Sequence, residues 1–115
     1  MNIDVLYLEI ANGKSPFLEW EKKLDTGVRA TIRIRINRIR LADYGDCKSI
    51  KGTPGLYELR IHVGPGYRIY FGKIKETLVI ILSASDKGSQ ERDINKAKDY
   101  WRLYKESLKN RGKNG

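Results

Sequence analysis

The stretch LYELRIHVGPGYRIYFG, residues 56–72, leaves the chain little choice of local structure. Tyr57, Leu59 and Ile61 alternate with Glu58, Arg60 and His62. That alternation describes a strand with one buried face. Gly64-Pro65-Gly66 is a strong turn signal. Beyond it, Tyr67, Ile69 and Phe71 alternate with Arg68 and Tyr70. Both apolar sets share one face only if Ile61 lies opposite Tyr67 and Leu59 opposite Ile69. That register sets Arg60 opposite Arg68. A slip of one residue would pair buried positions with exposed ones.

Like charges opposed across a sheet repel. At about 4 Å the cost is roughly 1 kcal/mol in water and roughly 4 kcal/mol at a surface-like dielectric. Two explanations are open. An acid, Glu58 or another, neutralises the pair. Alternatively the two planar forks hold a ligand phosphate, a geometry that guanidinium suits.

The rest of the chain surrounds this hairpin with helices and further strands. VLYLEI at residues 5–10 reads as a strand. Asn12-Gly13 turns the chain, Ser15 can cap a helix and Pro16 suits its first turn. Phe17, Trp20 and Leu24 repeat at helical spacing and predict a helix ending near Asp25. Residues 28–42 fit either period: Ile32, Ile34 and Ile36 alternate, while Val28, Ile32, Ile36 and Ile39 form one helical stripe. The length without Gly or Pro favours the helix. CKSIKGTPG reads as a short edge strand and a turn. TLVIILSAS reads as a strand buried on both faces, with Lys75-Glu76 turning into it. Ser89 suits a cap for a last helix whose apolar stripe is Ile94, Ala97, Trp101, Tyr104 and Leu108. The expected architecture is α+β: an antiparallel sheet of about four strands, two N-terminal helices and a C-terminal helix packed on it. Residues 1–109 form one domain, and 110–115 a flexible tail.

With 115 residues the chain has room for one modest core. Its 23 Lys and Arg against 14 Asp and Glu give a net charge of +9, which predicts polyanionic partners. A lone cysteine, Cys47, excludes an internal disulfide and a cysteine zinc cluster, and fits a reducing compartment. No apolar run suits a membrane span or signal peptide. A cytoplasmic protein is expected, with no membrane partner. No carboxylate or histidine spacing suggests a metal, and no cofactor is expected.

The segments GDCKSIKG, GLYELRIHVGPGYRIYF and DKGSQERDINKAKDYW resemble the phage-derived Gp49-like proteins. These addiction-module killer proteins are similar to HigB-type toxins of the RelE/ParE superfamily. The resemblance spans nearly the whole chain. It implies a RelE-like fold, a helix-turn-helix antitoxin as partner, and cleavage of messenger RNA, usually on the ribosome. Other superfamily members inhibit DNA gyrase by protein binding without cutting RNA. The fold alone does not decide between them.

The resemblance also implies site residues. Arg60 matches a basic residue that contacts the scissile phosphate. Arg68 matches the transition-state arginine. Lys87 lies where the family places another basic site residue. Ile94 stands where some RelE nucleases carry a catalytic tyrosine. HigB-type nucleases use histidine and acidic groups for proton transfer, for which this chain offers His62, Glu58 and Asp86. In such chemistry the ribose 2′-hydroxyl attacks the neighbouring phosphate, and cations stabilise the five-coordinate phosphorus without a metal. Lys48, Lys51, Tyr70, Arg33 and Arg40 are candidates for RNA contact. Each has a plainer reading. The cations could be solvated surface charges. Tyr70 could stack on a base or pack under a loop. His62 could be a solvated loop residue.

Overall fold

Two side-chain caps set the N-terminal half. The computed structural model describes residues 2–86 and 90–114. After strand β1 (Asp4–Tyr7), Ser15 Oγ accepts a hydrogen bond from the Leu18 N–H, and Pro16 opens helix α1 (Pro16–Glu21). The helix stops four residues before Asp25. Asp25 instead caps the next helix, α2 (Thr26–Ile39), accepting from the N–H groups of Gly27 and Val28. α2 settles the ambiguity of its isoleucines. Ile32, Ile36 and Ile39 are fully buried, whereas Ile34 is 60% exposed. A strand would have buried Ile34 with Ile32 and Ile36.

The remaining elements are β2 (Cys47–Ser49), β3 (Leu56–Ile61), β4 (Tyr67–Ile74), β5 (Leu78–Asp86) and α3 (Gln90–Asn114). The strands form one sheet in the order β1-β5-β4-β3-β2. β1 runs parallel to β5, and the other neighbours are antiparallel. The expected antiparallel sheet of about four strands is thus a mixed sheet of five. The β1 backbone needs partners for its N–H and C=O groups, and β5 offers a free edge.

Helices cover both faces. On one, Phe17 of α1 and Ile32, Ile36 and Ile39 of α2 pack on Leu59, Ile61, Ile69, Phe71, Val79 and Ile81. On the other, Ala97 and Trp101 of α3 pack on Leu56, Tyr70, Ile80 and Leu82. Gly72 makes room for this contact: a Cβ there would stand 2.1 Å from Trp101 Cζ3. The indole Nε1–H donates to the Pro54 carbonyl at 3.1 Å. α3 continues to Asn114, beyond the end expected near Lys109. The Ser89 cap falls outside the described residues.

Candidate functional site

The hairpin register follows its hydrophobic pattern residue for residue. Ile61 lies opposite Tyr67, Leu59 opposite Ile69, and Arg60 opposite Arg68. Between the strands, Gly64 and Gly66 take the positive φ values of 54° and 92° that this turn requires. The hairpin end forms a cleft of about 350 Å³, lined by Arg60, Ile61, His62, Gly64, Pro65, Gly66, Tyr67 and Arg68.

Each arginine has a carboxylate of the protein itself. Arg60 Nε and Nη2 donate to Asp46 Oδ1 at 3.2 and 2.9 Å. Arg68 Nε stands 3.5 Å from Oε1 of the buried Glu58. The second of the two explanations, a phosphate as the neutralising charge, is therefore not needed for stability. Two guanidiniums and two carboxylates leave this cluster formally neutral. Facing arginines alone are no argument for a phosphate ligand here. Glu58 is in position because the register places it one step diagonal to Arg68, beside Tyr70. Arg68 still has donors to offer. Nη1 has no hydrogen-bond partner among the described residues, although it is buried from solvent.

Asp46 is the site residue that the hydrophobic pattern did not single out. Its Oδ2 stands 2.6 Å from His62 Nε2, while its Oδ1 holds Arg60. The His62 contact, and after it the Arg60 guanidinium, holds the Asp46 carboxyl below its usual range. The backbone is fixed as well: the Arg60 N–H donates to the Asp46 carbonyl at 2.9 Å. From α2, Arg35 reaches across to donate to the carbonyls of Arg60 and Tyr44, both at 3.2 Å. Gly45 has φ of 63°, and a Cβ there would meet Arg35 Nη2 at 2.6 Å. A signal for Asp46 existed. Extending the β2–β3 pairing one step beyond Cys47 and Leu59 brings Asp46 beside Arg60.

The other candidates disperse. Tyr70 is fully buried beneath α3, with its hydroxyl 3.2 Å from Ser85 Oγ, so no ring face is free for a base. Burial raises its pKa. Glu58, buried under Arg68, is likewise enclosed. Arg33 belongs to the α2 side of the sheet, where it grips Glu21 through Nε and Nη2 and donates to the Tyr7 hydroxyl at 2.9 Å. It is thus a structural residue, remote from the arginine pair across the sheet. Arg40 ends α2 beside β1, its carbonyl accepting from the Ile3 N–H. That is the sheet edge away from β3. Asp86 pairs with Tyr67 and so falls on the opposite sheet face from Arg68. Lys48 lies opposite Glu58 and shares its face, exposed on the edge strand. Lys51 is exposed in the following turn. Lys87 lies outside the described residues.

No family model matches the chain. A solved structure of E. coli toxin RelE, free and with two arginines replaced by alanine, is similar in fold. The TM-score is 0.61 at 18% identity, over 79% of this chain and 90% of that one. The fold is therefore RelE-like. An uncharacterized protein of Haemophilus influenzae is 41% identical over 83 residues, 71% of this chain and 82% of that protein. At that identity and coverage, the chain belongs to the family of the Haemophilus influenzae protein.

Proposed function

We propose that the protein is a toxin of the RelE type within a type II toxin–antitoxin module, and that it is a metal-independent endoribonuclease acting on messenger RNA. The observation that carries this reading is the convergence of Arg60, His62 and Arg68 on one cleft in a RelE-like fold. Of the proton-transfer candidates, Glu58 is enclosed and Asp86 lies on the other face, which leaves His62. Its Nε2 is engaged by Asp46 and its Nδ1 is the nitrogen left to take a proton.

The step balances simply. The 2′-hydroxyl gives its proton to Nδ1 as the O2′–P bond forms. The P–O5′ bond breaks, the departing O5′ takes a proton from water, and Nδ1 returns its proton to the hydroxide left behind. Arg68, and Arg60 through Nη1, stabilise the charge that builds on phosphorus. Lys48 and Lys51 hold flanking phosphates, Lys87 adds a further cation, and the ribosome supplies the messenger. The cognate partner is a helix-turn-helix antitoxin, and both act in the cytoplasm. Among the described residues no helix is long and apolar enough to cross a membrane.

The internal ion pairs favour a second reading, a gyrase inhibitor that works by protein binding, because they neutralise both arginines without a phosphate. Arg68→Lys separates the two better than Arg68→Ala. Alanine would strand the buried Glu58 carboxylate, whereas lysine keeps a charge and loses the fork. Expressed in cells with pulse labelling, the wild type should halt protein synthesis and shorten transcripts, and Arg68→Lys should lose at least about tenfold of that effect. A substrate lacking the 2′-hydroxyl at the cut position should bind and stay intact. Cutting of that analogue, or arrested replication with intact transcripts, would overturn the nuclease reading.

A further inference from the structure

We propose that Asp46 is the positioning residue of this site, acting through His62 and Arg60 together. The inference rests on the nuclease reading for its consequence in catalysis, but its geometry stands apart from it. One carboxylate serves two partners: Oδ2 takes His62 Nε2 at 2.6 Å, and Oδ1 takes Arg60 Nε and Nη2. A carboxylate cannot donate, so a ring proton sits on Nε2, and in the neutral ring Nδ1 carries the lone pair. Exposed histidines without such a partner exchange freely between tautomers and rotamers. The Arg60 guanidinium is also turned, so that Nη1 is the nitrogen with no hydrogen bond among the described residues. The imidazole and the fork therefore hold a fixed relation to each other across the cleft mouth.

Asp46 can do this because it is itself held. Its carbonyl is fixed by the Arg60 N–H, and Arg35 ties the adjoining Tyr44 carbonyl to that of Arg60. Gly45 allows the chain to pass against the Arg35 guanidinium. This scaffolding reaches from α2 to the hairpin and ends on an acidic side chain that contributes nothing to the core.

His62 is the sole histidine, so its ring nitrogens give unambiguous ¹⁵N signals in the full chain. In the wild type, at a pH where the ring is neutral, these should report the Nε2–H tautomer. Asp46→Ala should convert them to the averaged pattern of a free imidazole, and Asp46→Glu should restore the wild-type pattern in part. RNA cleavage by Asp46→Ala should fall about 10- to 100-fold in kcat with KM changed less than about threefold, as for other partners that orient a catalytic ring. An unchanged ring pattern in a folded Asp46→Ala protein would overturn the proposal. So would a loss confined to KM, which would make Asp46 a binding group only. Should the wild type cut no RNA at all, the nuclease reading falls, and the ring signals still decide whether Asp46 sets the tautomer.

Discussion

The hairpin strands β3 and β4 cross from one environment to another on their α3 face. At the end near Leu56 and Gly72 the face is apolar and sealed. Trp101 lies flat where Gly72 has no side chain, and its one polar group is satisfied by Pro54. At the end near Arg60 and Arg68 the same alternation brings in Glu58, two arginines and His62, and a cleft takes the place of an apolar core. Identical backbone pairing thus supports packing at one end and mutually compensating charges at the other. A sheet built only for stability would continue the first arrangement, since well-packed apolar groups usually equal or exceed ion pairs of similar volume. The charged end is where the fold gives up apolar packing.

That contrast can be tested by removing one side chain from each end. Trp101→Ala should cost the most, about 4 kcal/mol, because the emptied volume against Gly72 and Tyr70 cannot collapse. Urea denaturation would measure it. A loss below about 1 kcal/mol would show that the sealed end is not the stabilising one. Glu58→Ala should cost about 2 kcal/mol, since Arg68 is mostly buried and would lose its carboxylate while keeping some solvent contact. If that variant were more stable than wild type, the repulsion between Arg60 and Arg68 would be weaker than the pairing geometry implies.

Much of this was legible because period-2 patterning is a local rule. The β3–β4 register, the opposed arginines and the neutralising Glu58 all follow from residues of one short stretch, Leu56 to Gly72. The burial of Tyr70 does not. Alternation assigns a residue to a face, but what covers that face is decided by α3, far along the chain. Arg33 shows the same limit. The exposed helix charge expected there is instead bound to Glu21 and laid over the Tyr7 ring. Parallel pairing of β1 with β5 joins segments more than 70 residues apart, and no turn connects them to fix the match. Asp46 lies between these cases, one pairing step beyond a strand that the sequence did suggest.

The smallest expected effect bears on the open end alone. The Asp46 carboxyl is held below its usual range, chiefly by the His62 contact and then by Arg60. A carboxylate whose pKa is lower folded than unfolded contributes stability above the unfolded value, near 3.9 for aspartate. That contribution is lost as pH falls through the lower folded value. Asp46 is only half-buried and open to solvent screening, so the change belongs to the site rather than to global unfolding. Carboxyl ¹³C titration should therefore place its midpoint below that of Asp46 in the denatured chain. His62→Ala should raise the midpoint more than Arg60→Ala does, in the order of the two contacts. The reverse order would mean that Asp46 belongs first to the arginine. In that event the open end would be another ion pair of the sheet, different from the Glu58 pair only in its exposure.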